Sequence, residues 1–115
     1  MTNNIRLGRR RSQRVTLIIP VVISEAVGNG RVTREHTHTL AVNRYGGLIA
    51  VRSSVSPGQS LLLTHSISRV SKECRVVYLG PNHRDKRQVG VEFMDPVIDF
   101  WNMSFPPPGS KPILD

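Results

Sequence analysis

The chain has 115 residues, in which 16 lysines and arginines face 8 aspartates and glutamates for a net charge of +8. That length supports one domain with a modest core, and the charge balance points to a polyanionic or otherwise negative partner. Three Phe, two Tyr and one Trp are too few stacking groups for a polynucleotide platform, and the single cysteine, Cys74, excludes an internal disulfide and is read as a buried apolar filler.

Residues 1–8 are expected to form a flexible N-terminal tail. Next, Arg9, Arg10, Arg11 and Arg14 stand within the seven residues from Gly8 to Arg14 and run directly into an apolar, β-branched stretch, Val15 to Ile23. This has the outline of a secretory signal, but Thr16 and Pro20 interrupt the run and Ser24-Glu25 follow without a small-residue cleavage site. Its nine residues also fall far short of the roughly 20 needed to span a bilayer. The expectation is a cytoplasmic chain without membrane insertion.

Val15 to Ser24 is predicted as the first strand, with Pro20 marking an edge position or a bulge. Gly28, Asn29 and Gly30 form a turn. Arg34 to Asn43 alternates, which places His36, His38, Leu40 and Val42 on one face and Thr37, Thr39, Ala41 and Asn43 on the other. Tyr45-Gly46-Gly47 turns the chain into a short strand, Leu48 to Arg52, and Ser56-Pro57-Gly58 precedes another, Gln59 to His65. Cys74 to Leu79 and Gln88 to Phe93 alternate on either side of a polar turn, Gly80 to Lys86. Six strands with no crossover helix between them predict an all-β fold, a small antiparallel sheet closed into a barrel. Pro96 opens a short C-terminal helix through Met103, with Phe100 and Trp101 covering one barrel end. Pro106, Pro107 and Pro108 then stop regular structure, and residues 106–115 form an extended tail.

No catalytic constellation is present, since the acids are scattered and no phosphate-cradling glycine loop leads a helix, so the chain is not read as an enzyme. His36 and His38 share a face, but no third ligand stands at a suitable spacing and Glu35 faces the other way, so no metal site is expected.

Arg10-Arg11-Ser12-Gln13-Arg14 is an RxxxR placed directly before the first strand, and Ala41-Val42-Asn43-Arg44-Tyr45-Gly46 lies at the turn between the second and third strands. Together with the ending Gly90-Val91-Glu92-Phe93 before Asp95-Pro96, these residues resemble the PilZ domain family across roughly residues 9–105. The resemblance implies a six-stranded PilZ-like β-barrel with a short C-terminal helix and a signalling role without a cofactor. It further implies binding of the bacterial messenger cyclic di-GMP through an arginine arm and a [D/N]xSxxG surface motif. The ligand-binding residues would be Arg10, Arg14, Asn43 and Gly46, with Arg9, Arg11, Ala41 and Gly47 as secondary contacts. Arg6 and Arg10 share the same spacing, but Arg14 abuts Val15, where the barrel begins, which favours the later pair.

The ligand's chemistry explains these residue types. Guanidinium groups pair with phosphodiester oxygens and with guanine O6 and N7, or stack on a base. The surface motif accepts the guanine N1 and N2 hydrogens and lets the backbone approach. Ala41 stands where the family has an acid or amide, Asn43 replaces the serine, and Gly46 is retained. A lost neutral hydrogen bond costs about 0.5–1.5 kcal/mol, and a charged acceptor more, so affinity is expected to be weakened by about tenfold or more rather than abolished. The alternative is a PilZ-like module that binds no nucleotide and engages a protein. A downstream protein partner is expected in either case, and a specific nucleic-acid polymer in neither.

Overall fold

A computed structural model describes residues 15–26, 32–95 and 99–103. Six strands follow one another, β1 (Pro20–Ala26), β2 (Val32–Asn43), β3 (Gly46–Val51), β4 (Ser60–His65), β5 (Ser71–His83) and β6 (Lys86–Phe93). All pairings are antiparallel, and the order β1-β2-β3-β6-β5-β4 closes because β1 also pairs with β4, Val21 opposite His65 and Ile23 opposite Leu63. Among the described residues no helix is long and apolar enough to cross a membrane.

Alternation fills the barrel. Val21, Ile23, Ile49, Val51, Leu61, Leu63, Cys74, Val76, Val89 and Val91 point inward and are buried, each burying roughly 1.5–3 kcal/mol of side chain on transfer. One end is plugged by Phe100 and Trp101, whose rings meet edge to face at 4.8 Å and lie against Phe93 and His65. Of the helix expected over residues 96–103, residues 96–98 lie outside the described residues. Residues 99–103 are turn, with left-handed backbone at Asp99 and Asn102.

Three elements differ from the alternation. β1 begins at Pro20 rather than at Val15. Between them, Val15 makes one isolated bridge to Val42, while residues 16–19 join no strand. Their polar groups are met by Thr39, which is fully buried: its hydroxyl accepts from the Ile19 N–H at 2.9 Å and donates to the Leu17 carbonyl at 2.6 Å. Thr39 therefore faces inward, against the expectation that it shares the outer face with Ala41 and Asn43. The cause is a bulge between Thr39 and Ala41, after which the faces exchange and Val42 is the buried residue. Lastly, the expected turn Gly80 to Lys86 is mostly strand, because β5 runs on to His83 and turns only at Arg84-Asp85. Pro81 is accommodated by a second bulge between Leu79 and Asn82.

Candidate ligand-binding site

Asn43 ends β2, Arg44 and Tyr45 form the turn, and Gly46 opens β3. Asparagine suits the turn because its side chain substitutes for a backbone acceptor: Oδ1 accepts the Tyr45 N–H at 2.8 Å. Gly46 is required by contact rather than by dihedral. A Cβ there would stand 2.0 Å from the Val91 carbonyl oxygen and 2.9 Å from the Glu92 Cα, both backbone atoms of the paired strand β6. At Gly47 a Cβ would lie 3.2 Å from the Ala41 oxygen and 3.3 Å from the Trp101 ring. Ala41 is half-buried on β2 opposite Leu48.

Trp101 secures the turn from inside. Its indole N–H donates to the Asn43 carbonyl at 3.0 Å and to the Gly46 carbonyl at 3.1 Å, which ties the aromatic plug to both ends of the turn. The adjoining backbone is held by the Val15–Val42 bridge, with Val15 N to Val42 O at 2.8 Å and Val42 N to Val15 O at 2.9 Å. Arg9, Arg10, Arg11 and Arg14 lie outside the described residues, Arg14 being covalently joined to Val15. The structure thus groups Ala41, Asn43, Gly46 and Gly47 at one turn, beside the position where the chain arrives from the arginine run.

Two further features were missed in the sequence. Trp101 reaches the turn from 55 residues away, and no local pattern predicts that contact. A charged cleft lies at the other end of the barrel, between the segment after β3 and the β5–β6 hairpin. There the Arg52 guanidinium binds Asp85, and the Glu35 carboxylate accepts the N–H groups of Arg52 and Ser53 and the Ser53 hydroxyl. The run Arg84-Asp85-Lys86-Arg87 was the available signal. Among the described residues, no three His, Cys, Asp or Glu side chains group as metal ligands. No family model, curated protein or solved structure matches the chain.

Proposed function

We propose that the chain is a PilZ-like receptor for cyclic di-GMP whose affinity is lowered by Ala41 and Asn43. The observation that carries this reading is the Val15–Val42 bridge. It joins the residue that follows Arg14 to the residue that precedes Asn43, so an RxxxR arm starts at the turn that carries the second half of the motif. An arm that closes over a compact dianion at the turn needs that proximity. Among the described residues, the Tyr45 N–H engages the Asn43 side-chain carbonyl oxygen and not its NH2 group, and that group matches the guanine O6 and N7 acceptors. A short helical turn opening at Pro96, ahead of the turn that holds Phe100 and Trp101 on the barrel, belongs to the same reading.

The test is calorimetric titration with cyclic di-GMP. Wild type is expected to bind, and the Arg10→Ala/Arg14→Ala variant to lose the binding heat with its melting temperature nearly unchanged, as for a solvated arm. Equal affinity in the two proteins overturns the proposal.

A second reading, a protein-binding module without nucleotide, is favoured by two observations at the same barrel end. Ala41 provides no side-chain acceptor, and Ile18 and Ile67 are 72% and 74% exposed there. Ala41→Asp separates the readings: a receptor gains a charge-assisted contact and binds about tenfold more tightly, whereas an interaction module gains nothing.

A further inference from the structure

The six residues of β3 carry the chain about 17 Å from the Asn43–Gly46 turn to the opposite end of the barrel. At that end the cleft beyond β3 encloses about 190 Å³. Pockets for whole drug-sized ligands begin at roughly 300 Å³, so this one suits a small ion. Its walls carry three cations, Arg52, Lys86 and Arg87, against one acid, Asp85, with the Glu35 carboxylate behind the wall on the backbone of Arg52 and Ser53. Arg87 donates from Nε to the Gly80 carbonyl at 2.9 Å, which fixes the guanidinium and leaves its terminal nitrogens to bond elsewhere. Ser54 and Asn82 add neutral polar groups to the same walls.

The Arg52–Asp85 contact is the informative one. Nε at 3.2 Å and Nη2 at 3.0 Å both converge on a single oxygen, Oδ2, so the guanidinium fork is not matched by the two oxygens of the carboxylate. The partners are 62% and 67% exposed, and a pair so open to water is readily exchanged for another. Glu35 meanwhile pins the backbone of Arg52 and Ser53, so the segment stays in place if the arginine side chain changes partner. The Asp85 carboxyl is held below its ordinary range by a backbone N–H bond and then by Arg52, and so is an anion at neutral pH.

We propose that this cleft is a second binding site, for a small phosphate-bearing anion, in which Asp85 occupies Arg52 until a phosphate displaces it. The tetrahedral oxygens of a phosphate accept from two guanidinium forks at once, while Lys86 contributes a point charge. None of these residues belongs to the arginine arm or to the Asn43–Gly46 turn, so the site stands or falls separately from the messenger reading.

The test is titration of the full chain with inorganic pyrophosphate, followed by amide chemical shifts and by calorimetry. Saturable binding is expected with shifts at residues 52–55 and 82–87, unchanged in the Arg10→Ala/Arg14→Ala variant. Arg87→Gln is expected to weaken it by about tenfold. Asp85→Asn is expected to tighten it severalfold, an increase that a misfolded variant cannot imitate. Absence of saturable binding, its loss with the arm arginines, indifference to Arg87→Gln, or equal or weaker binding by Asp85→Asn each overturns the proposal.

Discussion

Gly46 shows how a residue chosen for its place in a motif can be held there by packing. The position has strand dihedrals, so glycine's special backbone freedom is not the reason for it; the reason is the Val91 oxygen, 2.0 Å from where a Cβ would sit. Since that obstacle is backbone, β3 and β6 must separate to admit a methyl group. Gly46→Ala is expected to destabilise the protein by ~3 kcal/mol, seen as a fall in melting temperature of about 10–20 °C. A melt within two or three degrees of wild type would refute this account of the close approach. Asn43 is committed in a similar way, because its carbonyl oxygen closes the turn at Tyr45. The sequence therefore marked a turn at these residues, but not the bond to Tyr45 or the close approach of β6 that holds each of them there.

At the scale of elements, the β4–β5 connection is organised around His65. Its Nδ1 accepts the Ile67 N–H at 3.2 Å and the Ser68 N–H at 3.4 Å, while its backbone bonds to Arg69 and Val70. An acceptor at Nδ1 means that the neutral ring carries its proton on Nε2. Protonation would place a hydrogen on Nδ1, directed at two N–H donors, with the Phe100 and Trp101 rings alongside. Burial accordingly pushes the His65 pKa down from 6.5. A histidine with a lowered folded pKa contributes stability above its unfolded value and loses it as pH falls. The melting temperature is thus expected to decline below about pH 6.5. His65→Asn, which keeps an acceptor near the Nδ1 position but does not titrate, is expected to flatten that decline, and an equal slope in the variant would sink the assignment.

The legibility of the elements follows the same division between local and distant causes. Composition, alternation and turn signals together located all six strands, and Pro57-Gly58 marked its turn correctly: Gly58 has φ of 85° and the Gln59 N–H returns to the Ser56 carbonyl at 3.1 Å, as a turn with proline then glycine requires. What alternation could not show were the bulges. By parity Thr39 shares a face with Ala41 and Asn43, yet the bulge turns it inward, where its hydroxyl meets the backbone at Leu17 and Ile19. The turn carrying Asn43 and Gly46 was likewise legible, whereas the cleft at Arg52 and Arg87 depends on two segments that only barrel closure brings together.

For the whole molecule, closure leaves no open sheet edge among the described strands, so the interior is reached through the ends or by unfolding. Cys74 reports on this. It is fully buried, and burial, then the Glu73 carboxylate, pushes its thiol up to about 12. Since the thiolate is the reactive form, an aromatic disulfide reagent is expected to label Cys74 only at the rate of global unfolding, accelerating with denaturant along the unfolding limb. Rapid labelling in buffer would contradict a sealed barrel. The raised folded pKa also means that stability is complete below the unfolded thiol value near 8.5 and is lost progressively as pH climbs toward 12.

The indole at the barrel mouth has an optical consequence. The chain contains one tryptophan, and its N–H is divided between the carbonyls on either side of the Arg44-Tyr45 turn. Excited beyond the absorption band of the two tyrosines, the protein therefore emits from a single fluorophore wired to the turn at which the messenger is proposed to bind. An unlabelled chain should emit at the short wavelengths of an apolar site, and any ligand that shifts the Asn43 or Gly46 carbonyl should change the colour or intensity of that light. The fold has built its own spectroscopic probe into the place where one would be introduced.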